Sequence, residues 1–444
     1  MSTPTAESPT QARQRTRSCA TELACHRCGN HYPLEQSIFA CPDCGKGLDV
    51  VYDYELAARH FRDVPASERP QNIWHFEELL PIVDASAQAR VGQHSGYTPL
   101  IRADRLGAEL GLSNLYLKDD SSNRPSLSYK DRVVSMSVAR LLERGGTEIG
   151  CVSTGNVGTA VASLAAKAGV DAYVFYPNRL EDTKARACMA LGAKVCQVEG
   201  NYDEANRRCR EVAESTGMDF ANITLRPFYA EGAKTAAFEI VEQLGWRAPD
   251  HIVTAAAGGT LSSRLHKGLV ELQLLELSET DDTKIHIAQP SGCNPIATAI
   301  IAEEAEIHAV TPETAAHSLA IGNPGDGYLV IDAVRKRGGT GGFASDPEIF
   351  AGIDLLAATE GLLTEPAGGT TVAVLEKLAA SGRLAPDDTV VAIITGNGLK
   401  TLDDHPRKPW PAKVDCELDA MLEALGELKR GDTLVESARQ QLHV

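Results

Sequence analysis

Residues 148–177, EIGCVSTGNVGTAVASLAAKAGVDAYVFYP, contain a predicted strand, loop, helix and second strand in direct succession. EIGCVS and VDAYVFYP are the strands, TGNVG is the loop, and TAVASLAAKAG is the helix. The same alternation continues on both sides, with further strands at LSNLYLKDD, AKVCQVEG, HIVTAAA, IHIAQ and TVVAIIT. Alternating strands and helices specify a parallel sheet that is covered by helices on both faces. The sequence therefore predicts an α/β fold.

Composition narrows the functional classes. The chain has 444 residues, enough for about two to three domains, and 43% of them are apolar. No run of about 18 apolar residues occurs, so we expect no membrane span. The formal net charge is −17 and no basic patch stands out, so we expect no nucleic-acid partner.

The cysteines indicate the cellular compartment. Of 11 cysteines, four form two C-x-x-C pairs and the other seven are scattered, several of them in apolar runs. Scattered single cysteines are typical of buried thiols in a reducing compartment. The N-terminal stretch MSTPTAESPTQARQRTRS also lacks the apolar core of a secretory signal. We therefore expect a cytoplasmic protein, and we predict that residues 1–24 form a disordered tail.

Residues 25–50 are predicted to form a zinc ribbon. Cys25 and Cys28 make one pair, Cys41 and Cys44 make the other, and 12 residues separate the two pairs. A glycine follows each pair and permits a tight turn around a metal, and four thiolates suit tetrahedral zinc. Two disulfides or a redox-active pair remain alternatives. Four protein ligands would close the metal off, so such a site would contribute folding energy and no chemistry.

Candidate anion sites lie where predicted strands lead into helices. Three loops at such positions are rich in glycine and hydroxyl side chains, namely residues 153–156, 257–260 and 395–398. In parallel sheets, ligands bind at the carboxyl ends of the strands. Glycine lets backbone N–H groups approach an anion closely, and a following helix adds its dipole. The sequence therefore offers more than one candidate phosphate cradle.

A lysine stands at an unusual position. Lys130, in SLSYKDR, comes at the start of the predicted helix VVSMSVARLLERGG. The positive end of a helix disfavours an ammonium group, and a neutral amine is what Schiff-base chemistry needs. A phosphorylated aldehyde cofactor needs such a lysine together with a phosphate cradle, and pyridoxal phosphate fits both requirements. The alternative is a solvated lysine that pairs with Asp119 or Asp120.

Six motifs carry a family resemblance. They are, in chain order, NRPSLSYKDRVVS, STGNVGTAVASLAAKAG, RPFYAEGAKTAAFEIVEQLGW, SLAIGNPGDG, TEPAGGTTVAVLEKL and TGNGLKTLD. Together they resemble the threonine synthases, which are pyridoxal-phosphate enzymes of the tryptophan-synthase-β family. The resemblance covers roughly residues 25–405 and implies the two-lobed fold type II, with parallel sheets and the cofactor between the lobes.

The resemblance also implies roles for individual residues. Lys130 would hold the cofactor covalently and act as general base. The other cofactor-binding residues would be Asn156 at the 3′-oxygen, Thr395 at the pyridine nitrogen, and Gly258, Gly259 and Thr260 at the phosphate. The substrate-binding residues would be Ser153, Thr154, Asn222 and Arg226.

The implied reaction converts O-phospho-L-homoserine and water to L-threonine and phosphate. The alternatives within the family are a paralogue that replaces a β-substituent on another phosphorylated amino acid, as in cysteate synthesis, and a threonine or serine dehydratase. A non-enzymatic zinc-ribbon adaptor is the alternative from another class. We expect a homo-oligomer that acts on a small molecule, with a catalytic domain over residues 51–404.

The C-terminal extension, residues 405–444, has no role in the resemblance. Its segment VDCELDAMLEALGELKR places apolar residues on one face of a predicted amphipathic helix. We interpret that helix as a docking element.

Overall fold

The computed structural model describes residues 15–36, 38–153, 155–177, 182–402, 405–406 and 414–429. These residues divide into one unit up to Thr401 and a second unit from Leu402. The strands are β1 Ala20–Cys25, β2 His31–Pro33, β3 Leu48–Tyr52, β4 Leu100–Arg102, β5 Asn114–Asp119, β6 Glu148–Val152, β7 Asp171–Pro177, β8 Lys194–Val198, β9 His251–Ala255, β10 Lys284–Pro290, β11 Gly341–Ala344 and β12 Thr389–Ile394.

Helices connect most of these strands. They are α1 Tyr54–Asp63, α2 Ala85–Arg90, α3 Asp104–Leu110, α4 Lys130–Glu143, α5 Asn156–Ala168, α6 Asp182–Ala190, α7 Tyr202–Thr216, α8 Arg226–Glu231, α9 Thr235–Gln243, α10 Thr260–Leu274, α11 Pro295–Ile301, α12 Gly327–Lys336, α13 Asp346–Glu360, α14 Pro366–Ala380 and α15 Leu418–Lys429. Short 3₁₀ turns occur at Ala66–Glu68, Ile73–Leu79, Asp120–Ser122, Gly232–Lys234, His317–Leu319 and Gly398–Lys400.

A six-stranded sheet forms the larger lobe of the first unit. Its strand order is β11-β10-β9-β12-β5-β4, and every neighbouring pair is parallel except β4 with β5. All five residues of β9 are buried, as expected for a strand with helices on both faces. α14 packs along β9 to β12, and α10 and α12 contact β10. The predicted parallel α/β arrangement is confirmed here.

A second parallel sheet, of order β6-β7-β8, forms the smaller lobe. α5 and α7 both contact β6 and β7, and α6 contacts β8. Phe220 forms a parallel bridge with Gly150, where an added Cβ would lie 2.8 Å from the phenyl ring. The glycine in EIGCVS is therefore required by close packing. The two lobes match the predicted two-lobed fold.

The N-terminal sheet is antiparallel, with the order β2-β1-β3. Residues 1–14 lie outside the described part of the chain, but the predicted disordered tail is wrong for the residues that follow. β1 begins at Ala20, its Leu23 is fully buried, and Arg15 bridges to Asp84. The polar composition concealed this strand because its order comes from pairing with β3, which is distant in sequence. The ribbon therefore starts before Cys25.

The second unit contains α15, at the position predicted for an amphipathic helix. The five apolar side chains of its predicted face are between 45% and 71% exposed, namely Leu418, Met421, Leu422, Leu425 and Leu428. Its docking role stays a prediction. Among the described helices, none is both long enough and apolar enough to cross a membrane.

Candidate active site

A cavity of about 530 Å³ brings together most of the predicted site residues. It lies at the carboxyl ends of β6 and β9, and the N-termini of α4, α5, α7 and α10 border it. The predicted residues in its lining are Lys130, Ser153, Asn156, Asn222, Arg226, Gly258, Gly259 and Thr260. Thr395 is not in the lining, and Thr154 lies outside the described residues. The roles of all these residues stay predictions.

Lys130 is the first residue of α4, as predicted. The preceding loop is anchored to β12, because the Tyr129 amide donates a 2.9 Å hydrogen bond to the Thr395 carbonyl. The Lys130 Nζ atom hydrogen-bonds the Tyr129 hydroxyl. The alternative pairings are not present, since the Asp119 carboxylate accepts from Ser121 and the Asp120 carboxylate pairs with an arginine. Lys130 therefore lies at the cavity without a carboxylate partner among the described residues.

Asp131 follows the lysine and is fully buried. Burial raises the pKa of its carboxyl group to about 7. One oxygen accepts a 2.9 Å hydrogen bond from the Ser126 amide, whereas the other has no partner among the described atoms. A carboxylate at the first turn of a helix is favoured by the helix dipole, but here burial outweighs that effect.

Asn156 opens α5, and its amide is oriented from two sides. Its Nδ2 atom donates to both carboxylate oxygens of Glu365, at 2.9 and 2.8 Å. Its Oδ1 atom accepts a 2.9 Å hydrogen bond from the Lys400 ammonium. An acceptor on one side and a donor on the other leave the amide only one orientation. Glu365 also donates its backbone N–H to the Gly396 carbonyl, at 3.1 Å.

The loop of residues 257–260, which is predicted to bind the cofactor phosphate, leads into an uncapped helix. Gly259 has φ +97°, and a Cβ there would lie 2.8 Å from Val330 and 3.1 Å from the Asp326 backbone. No side chain caps the N-terminus of α10 that follows. Its first N–H groups therefore remain available for a phosphate, which the helix dipole also favours.

Thr395 directly follows β12. Its hydroxyl oxygen is buried and has no hydrogen-bond partner among the described atoms. A buried hydroxyl usually has a partner, so its isolation fits a ligand atom such as a pyridine nitrogen. The Thr395 hydroxyl, the open helix N-terminus at Thr260 and the Lys130 side chain at the cavity together make the residues present fit pyridoxal phosphate.

Two of the predicted substrate residues are engaged within the protein. The Arg226 guanidinium pairs with Asp326 and donates a 3.0 Å hydrogen bond to the Thr260 hydroxyl. Asn222 hydrogen-bonds the backbone of Val152 in both directions, at 2.9 and 3.3 Å. Arg226 therefore belongs to the support of the predicted phosphate cradle, and Asn222 extends the edge of β6.

Ser153 lies directly after β6 and is almost fully buried. Its hydroxyl oxygen accepts hydrogen bonds from the Gly155 and Gly158 amides, at 2.9 and 2.8 Å. It therefore shapes the loop into α5, and because both of its lone pairs accept these hydrogen bonds, it can meet a substrate only by donating its proton.

Two arginines that the sequence patterns did not single out also line the cavity. Arg207 and Arg210 lie on α7, three positions apart, and both line the cavity. Neither guanidinium has an ion pair or hydrogen bond to any part of the chain that the structure describes. Their helical spacing was the available signal, since residues three apart share one helix face. Glu365 and Lys400 were also missed, although both lie in the motifs TEPAGG and TGNGLK.

The four paired cysteines converge outside the cavity. Their sulfur atoms all lie within 4.8 Å of one another. Three sulfur–sulfur distances are 3.4, 3.5 and 3.8 Å, between Cys25 and Cys44, Cys28 and Cys41, and Cys44 and Cys28. Disulfide sulfurs lie at about 2.05 Å, whereas thiolates at about 2.3 Å from a tetrahedral zinc lie about 3.8 Å apart. The geometry fits a metal site and excludes the two disulfides.

The chain resembles named proteins over most of its length. Residues 91–396 match the family described as pyridoxal-phosphate dependent enzyme. The threonine synthase of Methanocaldococcus jannaschii is 34% identical, over 91% of this chain and 99% of that protein. The threonine synthase of Methanosarcina acetivorans is 34% identical over 91% and 98%, and that of Mycobacterium bovis is 35% identical over 80% and 96%.

Solved structures share the fold. Diaminopropionate ammonia lyase from Escherichia coli aligns over 86% of this chain and 95% of its own, with a TM-score of 0.60 and 20% identity. Threonine deaminase isoform 2 from Solanum lycopersicum aligns over 70% and 86%, with a TM-score of 0.58 and 20% identity. At such identities the likeness bears on the fold alone. The family match and the identities to the named relatives place the chain in the pyridoxal-phosphate dependent enzyme family and, within it, among the threonine synthases.

Proposed function

We propose that the protein converts O-phospho-L-homoserine and water to L-threonine and phosphate. The observation that supports this proposal is one cavity whose lining includes both the uncapped N-terminus of α10 and the Arg207 side chain. The open N-terminus of α10 suits the phosphate of the cofactor. Arg207, which has no ion pair among the described residues, suits the phosphate of the substrate. The Cγ–O bond breaks and releases phosphate, Cγ gains a hydrogen, and the hydroxyl of the water replaces one hydrogen of Cβ.

Pyridoxal phosphate, when bound, withdraws electrons from the substrate amino acid and acidifies its carbon-bound hydrogens. Lys130 would hold it covalently and, once displaced by the substrate amine, would move protons among the substrate carbons. The Tyr129 hydroxyl, in contact with Nζ, would orient that amine. The Thr395 hydroxyl would meet the ring nitrogen without holding a proton on it, because it is not a carboxylate.

Asn156 would address the 3′-oxygen of the cofactor with an amide that Glu365 and Lys400 hold in one orientation. A prealigned donor needs no reorganisation when the ligand binds, which is the general advantage of a rigid site. Arg226 would act on the cofactor phosphate through Thr260, and it would not need to contact the substrate.

The first experiment tests the lysine. Borohydride reduction of the purified protein should fix the cofactor covalently, and peptide mapping should locate it on Lys130. Lys130→Ala should remain folded and lose the trapped cofactor. Lys194→Ala is the control, because that ammonium is exposed and pairs with Asp171 on the surface. Covalent trapping that persists in Lys130→Ala would refute the assignment.

The second experiment tests the substrate phosphate. Arg207→Ala should lower kcat/KM for O-phosphohomoserine by roughly 10- to 100-fold, since a hydrogen bond to a charged group contributes about 1.5–3 kcal/mol. The cofactor spectrum should not change. Arg208→Ala is the matched control, because the neighbouring guanidinium is exposed and pairs with Glu211 at 2.7 Å. Equal activity of the two variants would remove Arg207 from the site.

A substrate panel separates this function from its relatives. The protein should release phosphate from O-phosphohomoserine. Turnover of O-phosphoserine with sulfite instead would favour the paralogue, and turnover of threonine or serine to an oxo acid would favour a dehydratase, for which Arg207 would have no use. A colourless protein without bound cofactor would favour the adaptor.

Further proposals concern the metal and the organisation of the chain. The four-cysteine site would bind one structural zinc per chain, which metal analysis after gentle purification tests. Tight turns support it, since the glycines after the two pairs have φ +71° and +69°. We also propose that residues 51–404 form the catalytic domain, and that the protein is a cytoplasmic homo-oligomer.

A further inference from the structure

The cysteine ribbon contacts Tyr328, the second residue of α12. The ring of His26, next to the first cysteine, lies 6.5 Å from the ring of Tyr328 in an edge-to-face arrangement. The Lys46 ammonium lies 5.3 Å from the centre of the same ring. An added Cβ at Gly47 would be only 3.4 Å from the Tyr328 hydroxyl. Tyr328 is therefore enclosed by residues that flank both cysteine pairs.

Tyr328 lies two residues after Asp326, which supports the cradle directly. The Asp326 amide donates a 3.0 Å hydrogen bond to the Gly258 carbonyl. Its carboxylate accepts from Arg226 and, at 3.1 Å, from the Thr260 hydroxyl. The segment of residues 326–328 therefore connects Tyr328, which contacts the ribbon, with Asp326, which hydrogen-bonds the cradle.

A second contact reaches the same cradle from the ribbon's last strand. Asp49 of β3 pairs with Arg264 and, at 3.5 Å, with Lys267, both on α10. Lys267 also donates a 2.7 Å hydrogen bond to the Val50 carbonyl. Arg264 is four residues after Thr260, one helical turn from the N–H groups that face the cavity. The ribbon is thereby fixed to the helix whose N-terminus forms the anion site.

We propose that the metal-bound ribbon positions the phosphate cradle, with Asp49 and Tyr328 as the positioning residues. The strands β1 and β3 are ordered by their pairing, but the turns that carry the cysteines lie in a module too small for a core of its own, so the metal stabilises those turns. Loss of the metal would release His26, Lys46 and Asp49, and Asp326 and the start of α10 would then lose their outer support. The inference rests on the proposed cofactor site.

Linkage gives the inference a measurable consequence. If the metal strengthens phosphate binding in the cradle, then occupation of the cradle must strengthen metal binding by the same factor. The increase in zinc affinity must also depend on the phosphate group of the cofactor, because the ribbon contacts residues that support the phosphate cradle. Pyridoxal, which lacks that group, should therefore not reproduce it.

The experiment is a competition titration for zinc against a chromophoric chelator. It uses the full-length protein with pyridoxal phosphate, with pyridoxal, with inorganic phosphate, and without additions. We expect pyridoxal phosphate to raise the zinc affinity roughly fivefold or more, the usual lower range for coupled sites. Inorganic phosphate should raise it by a smaller factor, and pyridoxal should have no effect. Equal zinc affinity with and without pyridoxal phosphate would overturn the inference.

Variants separate positioning from a general loss of structure. Asp49→Asn and Tyr328→Ala should each still bind zinc and cofactor, but pyridoxal phosphate should change their zinc affinity at most twofold. Arg62→Ala is the matched control, because it removes a contact between α1 and the C-terminal end of α10, far from the cradle. It should keep the full effect. Retention of the full effect in Tyr328→Ala and Asp49→Asn would also refute the inference.

The result is distinguishable from failure of the proposed function. If the protein shows no cofactor absorbance and traps none with borohydride, the cofactor site itself is wrong. If it binds cofactor normally while zinc affinity stays constant, only the role of the ribbon is wrong.

Discussion

Lys130 and Arg132 are separated by one residue at the start of α4, and their surroundings are opposite. The Arg132 guanidinium is fully buried and pairs with Asp120 at 2.7 Å and with Glu239. It also donates 2.9 Å hydrogen bonds to the hydroxyls of Thr98 and Thr235. Lys130 is half-buried at the cavity, and among the described residues its ammonium bonds only the neighbouring Tyr129 hydroxyl.

The difference separates a structural cation from one available for chemistry. Burial alone would raise the pKa of Glu239, yet Arg132 and Lys118 lower it to about 2. Such mutual stabilisation makes removal of one partner costly, because the remaining charges stay buried. Lys130 has no such partners, so its loss should affect the reaction and leave the fold intact.

The largest effect is expected from Arg132→Met. The substitution would leave Asp120 and Glu239 facing each other with only Lys118 nearby, and should cost about 3–5 kcal/mol of unfolding free energy. Lys130→Met, measured in parallel without cofactor, should cost less than about 1 kcal/mol. Urea denaturation of both variants checks this. Similar urea midpoints for the two variants would contradict the distinction between a structural cation and one available for chemistry.

Asp131, between these cations, should make stability depend on pH. Its folded pKa of about 7 exceeds the value of 3.8 expected when unfolded, so the folded state binds the proton more tightly. Its contribution to stability is then fully present below about pH 4 and is lost as pH rises through 7, by about 4 kcal/mol. Asp131→Asn should remove that decline.

Denaturation of this variant at pH 5 and pH 8 tests the prediction. Asp332→Asn, an exposed position on α12, is the control. If wild type and Asp131→Asn lose stability equally between the two pH values, the buried carboxyl is not the cause.

A smaller effect is expected from Lys400→Met. The change removes the donor that fixes the Asn156 oxygen, so the amide could turn and present the wrong atom to the cofactor. The affinity for pyridoxal phosphate should fall roughly 10-fold, equivalent to about 1.4 kcal/mol. Fluorescence titration measures it, with the exposed Lys377→Met as control. Unchanged affinity would mean that Glu365 alone orients Asn156.

The smallest effect is expected from the surface pair of Lys194 and Asp171, whose side chains are 56% and 65% exposed. Lys194→Ala should change the unfolding free energy by no more than about 0.5 kcal/mol, because solvent and salt screen exposed ion pairs. Thermal unfolding at low and high salt checks it. A larger change would show that the exposure of a cation does not predict its contribution to the unfolding free energy.

The features that neighbouring residues define could be predicted from the sequence. Lys130 at a helix start, the glycine loops and the cysteine pairs can all be recognised from neighbouring residues. The partners of these groups cannot, since Glu365 meets Asn156 across 209 positions. Arg226 illustrates the same limit, because the motif predicted it at the cavity, which it lines, whereas its partner Asp326 lies 100 positions away. Only the folded structure distinguishes Arg207, which lines the cavity, from the exposed Arg208 beside it.

Gly396 lies against Glu365 in the loop after the last strand of the larger sheet. Its φ does not lie in the left-handed region, so the backbone does not demand glycine there. An added Cβ, however, would lie 2.4 Å from one Glu365 oxygen and 2.8 Å from the other. The absence of a side chain at Gly396 therefore leaves the space that the Glu365 carboxylate occupies. Any larger residue at this position would displace the Glu365 carboxylate. Asn156 would then lose its acceptor and could rotate away from the cavity.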